Sequence, residues 1–256
     1  MFDAAPTPLD LNFRLLGFPV RVSPWFWLVT GLFGLRAARG EPAGALPLWV
    51  GCVFGSILLH ELGHALLFRR SGAWATRIVL HGFGGLAVAD RQPATRGRRI
   101  LVALAGPGAQ LLLLAAVVGS HRLTGWAATN ELTDVLFRYL VFINLVWALV
   151  NLLPVMPLDG GQVCLNLLAL LRVPRAEVKA WGVSTATAGL VVLVSVLHEA
   201  GRLPPEVARW VPFTLSPIGI LFVGVLAVQS TQRMQQLGRS YAWDDGPYDR
   251  GGRWRR

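Results

Sequence analysis

Residues 45–68 read ALPLWVGCVFGSILLHELGHALLF, and near the end of this stretch stand His60, Glu61, Leu62, Gly63 and His64. Apart from these side chains the run from Ala45 to Phe68 carries no charge, and its one proline, Pro47, falls at the start, where a helix tolerates it. On a helix two histidines four residues apart share one face and can grip one Zn²⁺. Glu61 then lies beside them, placed to take a proton from a water that the ion activates. With five histidines in 256 residues, a shuffled chain shows this H-E-x-x-H spacing in about two cases per thousand. The plainer reading, two histidines and a glutamate hydrogen-bonded in a core, is weakened by the cost of ionisable groups in an apolar span.

Composition sets the class. Hydrophobic residues make up 54% of the chain and charged residues 15%, and the apolar residues come in blocks, the pattern of an all-α polytopic membrane protein. About six transmembrane helices are expected, over residues 24–38, 45–68, 100–120, 135–153, 180–198 and 213–230. The start of the chain carries Asp3 and Asp10 without a basic n-region, so no cleaved signal is expected. The net charge of +10 comes from arginines at span ends, which points to orientation in a membrane and not to nucleic acid. Arg69 to Arg99 holds seven arginines against one Asp, so this loop is expected on the cytoplasmic side, as are both termini and the opening of the site. The His60–His64 pair then lies on the order of 10 Å beneath that face. Cys52 and Cys164 fall in different apolar segments and form no CxxC motif. Residues 1–232 are read as the membrane core and 233–256 as a polar, disordered cytoplasmic tail able to touch anionic lipid.

Two further stretches complete the reading. Residues 12–23 alternate weakly around Pro19 and suggest one short edge strand. Residues 78–89, IVLHGFGGLAVA, are rich in branched side chains and broken by glycines, the pattern of a β-hairpin or exposed strand edge near the site. Gly82, Phe83, Gly84 and Gly85 are its candidate substrate-binding residues, since backbone exposed there can pair with an extended peptide. A simple packing turn is the other reading, and His81 is a metal ligand by residue type only. Later, Asn151-Leu-Leu-Pro154-Val-Met-Pro157-Leu-Asp159-Gly160-Gly161 places two prolines three apart, which no regular helix accommodates, and Asp159 opens a new apolar helix. An Asp before Gly-Gly is an ordinary helix-start residue. As the one acidic residue inside an apolar stretch besides Glu61, it is also the candidate third ligand that leaves a catalytic zinc one open position. The small residues from Ala105 to Ala109 are read as helix packing with a kink at Pro107.

Together the H-E-L-G-H motif, the Gly84-Gly85 loop, Ala105-Gly106-Pro107 and the Asn151 to Gly161 motif resemble the site-2 protease family of intramembrane zinc metalloproteases, over roughly residues 13–171. The resemblance implies that His60, His64 and Asp159 bind one Zn²⁺, that Glu61 is the catalytic base, and that Asn151 assists substrate or intermediate binding. It implies cleavage of membrane-anchored proteins, of the kind exemplified by anti-sigma or pro-sigma regulators. Neither a PDZ insertion nor a CBS pair stands in the sequence, so the likeness is to a minimal form. Gln110 occupies a position where the family pattern leads one to expect Asn. The competing classes are a non-catalytic zinc-binding membrane protein, for instance a chaperone-like substrate binder, and a metal transporter, for which the spans carry too few polar residues.

Overall fold

The computed structural model describes residues 6–82, 84–204 and 217–244. The chain divides into two compact units, Met1–Leu152 and Leu153–Arg256.

The first unit begins with a hairpin, β1 (Leu11–Leu15) and β2 (Phe18–Val22), paired antiparallel with Leu15 opposite Phe18. Leu16 (φ 50°) and Gly17 (φ 86°) make the two-residue turn; both central residues have positive φ, the geometry that matches strand twist. The single edge strand expected over residues 12–23 is therefore two strands. The break is hidden in the sequence because Leu16, an apolar residue, takes a turn position normally signalled by Asn or Gly. Ser23 caps α1 (Pro24–Ala37) by accepting from the Trp25 N–H, with Pro24 at the first helical position. α2 (Ala45–Arg70) follows, then β3 (Thr76–His81) and β4 (Gly84–Ala89), which form the expected hairpin. β3 also pairs with β2 in parallel, Val20 opposite Ile78, so one four-stranded sheet runs β1-β2-β3-β4. α3 (Arg96–Thr124) and α4 (Glu131–Asn151) complete the unit, with a 3₁₀ turn at Trp126–Ala128 between them. α3 runs past the expected span end at residue 120 to include His121 and Arg122, and α4 starts at Glu131, ahead of the expected residue 135. The basic pair extends α3, and Asn130 and Thr133 form a reciprocal cap that starts α4 at Glu131.

Alternation in the sheet explains how it is held. Phe18, Val20 and Val22 of β2 and Ile78 and Leu80 of β3 share one face, and they pack with Phe26, Ile57, Leu58 and Ala65 in a single buried cluster. In an aqueous reference each large side chain of that kind contributes roughly 1.5–3 kcal/mol on full burial. Arg69 secures the rim: its guanidinium donates to the Leu16 carbonyl (3.1 Å) and lies 4.4 Å over the Phe18 ring.

The second unit holds α5 (Asp159–Leu170), α6 (Ala176–Glu199) and α7 (Pro217–Asp244). The twin-proline segment ahead of α5 is irregular, as its sequence demands, and contains a cis Met156–Pro157 bond. Its Met156 N–H donates to Ser184 Oγ (2.8 Å), which in turn is 2.8 Å from Ser230 Oγ, so buried hydroxyls tie the segment to α6 and α7.

Among the described residues four helices, α2, α3, α4 and α6, are long and apolar enough to cross a membrane, and the molecule is accordingly a mostly helical membrane protein with a small sheet. α1 is not among them, since its 14 residues reach about 21 Å against a hydrocarbon core of about 30 Å. The tail expected to be disordered from residue 233 is helical through Asp244; no proline interrupts residues 218–244, and Arg233 to Leu237 are good helix formers. Residues 245–256 lie outside the described residues.

Candidate metal centre

The site grows from one face of α2. His60, Glu61 and His64 are all buried, at 3%, 4% and 7% exposure, and the Nδ1 atoms of both histidines find their partners on α3. His64 Nδ1 lies 2.7 Å from the Val102 carbonyl oxygen, and His60 Nδ1 lies 2.9 Å from Gln110 Oε1. A carbonyl oxygen only accepts, so His64 must carry its proton on Nδ1 and present Nε2 as the lone-pair nitrogen. The two Nε2 atoms face each other at 3.1 Å, with the rings at 78°.

This arrangement fits zinc. Two Zn–N bonds of 2.0–2.1 Å at a tetrahedral angle set the nitrogens roughly 3.3 Å apart, close to the separation found. Histidines whose other nitrogen is fixed by an oxygen acceptor are also the usual form of zinc ligands.

Three glycines make room for the site. A Cβ on Gly106 of α3 would strike His64 Nε2 and come within 2.7 Å of His60 Nε2. A Cβ on Gly63 would run into the Ala105 carbonyl group, so α2 and α3 meet backbone to backbone beside the histidines. On the other flank, a Cβ on Gly85 of β4 would fall 2.6 Å from Glu61 Oε1, which sets the strand directly against this carboxyl group. Gly84 has φ 130° and lies under the Trp147 ring. Gly82 approaches Val29 and Trp25 of α1, while Phe83 lies outside the described residues.

Asn151 ends α4, and its amide nitrogen donates to the Trp147 carbonyl at 2.9 Å. In the second unit Asp159 occupies the first position of α5, half-buried; Gly161, two residues on, lets the Val155–Met156 peptide fold close over the helix start. His81 closes β3 opposite Gly84. Sequence reasoning missed the role of Gly106, read as packing, the acceptor Val102, and the partner of Gln110, a position it had marked. It also missed the neighbouring pair Ser56 and Asn144, both fully buried and joined at 3.0 Å. A polar residue in the middle of an apolar helix is the one signal that marked Gln110 and Asn144.

Comparison with known proteins agrees with this chemistry. Residues 114–196 match the profile of Peptidase family M50, a segment that contains Asn151 and Asp159 but not the histidines. The chain is similar to a protein of Synechocystis sp. that is provisionally named a zinc metalloprotease, 34% identical over 58% of this chain and 41% of the other. It is also similar to a zinc metalloprotease of Methanocaldococcus jannaschii, 28% identical over 59% of this chain and 43% of the other. The stage IV sporulation protein FB of Bacillus subtilis is 26% identical over 78% of this chain and 64% of the other. The chain thus spans about two fifths of the length of the first two relatives. In fold it is similar to the site-2 protease from Methanocaldococcus jannaschii, with a TM-score of 0.57 and 20% identity over 88% of this chain and 95% of that one.

Proposed function

We propose that the chain, whose residues 114–196 match Peptidase family M50, is a zinc metalloprotease of the membrane which cleaves membrane-anchored proteins within or beside their transmembrane segments. The observation that carries this reading is the pair of imidazole Nε2 atoms 3.1 Å apart, with the buried Glu61 between them in sequence. We assign His60 and His64, with Asp159 of the Asn151 to Gly161 motif, as the ligands; two histidines and a carboxylate are one of the ligand sets of catalytic zinc. Bound there, Zn²⁺ supplies Lewis acidity and brings the pKa of water near 7.

The protein's own groups do the rest. Glu61 accepts the proton of the attacking water and delivers it to the leaving amine nitrogen. The Asn151 amide, one N–H of which is held by Trp147, offers its second N–H to the developing oxyanion. Because a helical substrate hides its carbonyls, it must unwind before attack, and β4, an edge strand of the sheet, offers backbone groups to the unwound segment. Gly84 and Gly85 stand at the near end of that edge, the position we assign to the substrate segment. α2, α3, α4 and α6 are the helices long and apolar enough to cross, and the arginines that follow α2 favour a cytoplasmic position for the loop after it. The resemblance to the site-2 protease family points to a membrane-tethered regulator, of the anti-sigma or pro-sigma kind, as the substrate class.

The test compares membrane-protein fragments in cells carrying wild type and Glu61→Gln. Fragments that vanish in the variant, while purified Glu61→Gln still binds zinc, support the enzyme. Identical fragments in both leave a zinc-binding protein without hydrolysis.

A further inference from the structure

We propose that Gln110 is a positioning residue: it fixes the proton of His60 on Nδ1, and the backbone carbonyl of Ser56 in turn fixes the orientation of Gln110. The inference rests on the zinc reading and deepens it. Gln110 is fully buried on α3, so no solvent is available to satisfy a misoriented amide. One end of that amide lies 2.9 Å from His60 Nδ1 and the other 3.5 Å from the Ser56 carbonyl oxygen.

The hydrogen-bond roles follow from the one partner that has no choice. A carbonyl oxygen cannot donate, so the NH₂ end of Gln110 faces Ser56. Reversing the amide would set two carbonyl oxygens against each other. The oxygen end therefore faces His60, which makes His60 Nδ1 the donor and Nε2 the lone-pair nitrogen. His64 reaches the same state through the Val102 carbonyl. The two ligands thus share a tautomer by different means, one set by backbone directly and one relayed through a side chain.

The region around Ser56 is itself held. Asn144 of α4 donates to Ser56 Oγ at 3.0 Å and to the Leu140 carbonyl at 2.8 Å, so the α2 turn that orients Gln110 is tied to α4.

The experiment measures zinc affinity by chelator competition, and the absorption spectrum of the Co²⁺ form, on detergent-solubilised full-length protein. Gln110→Leu fills the space without an acceptor and is expected to weaken zinc by about 10–100-fold. Gln110→Glu keeps an acceptor facing His60 in either protonation state and, when protonated, a donor facing Ser56; it is expected to stay within about threefold of wild type. A residue present only for packing predicts the reverse order, with Leu tolerated and Glu damaging, and that order overturns the proposal. Should Gln110→Glu not fold, Gln110→Leu against wild type decides: weakened zinc with unchanged circular dichroism supports the role, and unchanged zinc overturns it. Wild type that binds no zinc, or binds it equally after His60→Ala, overturns the metal reading and this inference with it. Wild type that binds while Gln110→Leu binds as well overturns the inference alone.

Discussion

Two polar clusters are built on the helices of the first unit, and they follow different rules. In one, Arg138 of α4 forms a two-pronged pair with Glu41 (2.8 and 2.9 Å) and a third bond to Asp134 (3.0 Å), with Arg138 about half exposed. In the other, His60, His64, Gln110 and Asn144 make a similar number of bonds at 0–7% exposure. At the exposed cluster water replaces any partner that is lost, so the pair adds little and is screened by salt. In the buried one each atom's role dictates its neighbour's, because an unsatisfied group keeps its full desolvation cost. Hydrogen-bond counts are therefore a poor guide to which cluster matters; burial decides.

Substitutions of a few atoms can break or sharpen that contrast. The largest effect is expected from Gly106→Ala, whose methyl group falls on both Nε2 atoms: zinc binding by chelator competition should drop by at least about 100-fold. If the alanine variant binds zinc as wild type does, the rings have more freedom than so close a contact allows. Next comes Gly85→Ala, which displaces either β4 or the Glu61 carboxyl group. Misplacement of a reacting group by about 1 Å costs on the order of 10²-fold in rate, so cleavage of a reporter substrate should fall by about that factor while zinc content stays constant. The smallest effect belongs to Glu41→Gln. The hydrogen bond from Arg138 holds the Glu41 carboxyl group below its ordinary pKa, so its contribution is present above the unfolded carboxylate pKa and is lost as pH falls through the folded one. Thermal unfolding followed from pH 7 to pH 3 should show a small wild-type advantage that disappears at the acid end. An equal gap at both ends would mean that charge plays no part.

What the sequence disclosed and what it withheld divide along physical lines. Ala45 to Phe68 announced α2 to within two residues at its end, because an unbroken apolar run with one charged motif has a single sensible fold. The β3–β4 hairpin was legible in the branched residues around Gly82 to Gly85. Glu61, His60 and His64 were legible for the same local reason: their spacing of one helical turn is visible in five letters. Gln110 was not, since its partner lies fifty positions away and no local periodicity reports contact between α2 and α3. The parallel pairing of Val20 with Ile78 was hidden likewise by the two helices that intervene. Leu16 misled by chemistry, as an apolar residue in a turn. Asp159 was visible because a carboxylate inside an apolar stretch calls for a reason, although its place at a helix start supplies an ordinary one.

The close approach at Gly63 carries a mechanical consequence. Where a side chain would otherwise cushion two helices, the Ala105 carbonyl group fills the gap, and steric contact of that kind is stiff on the scale of tenths of an ångström. α2 and α3 therefore move as a single beam, with the paired rings held between them.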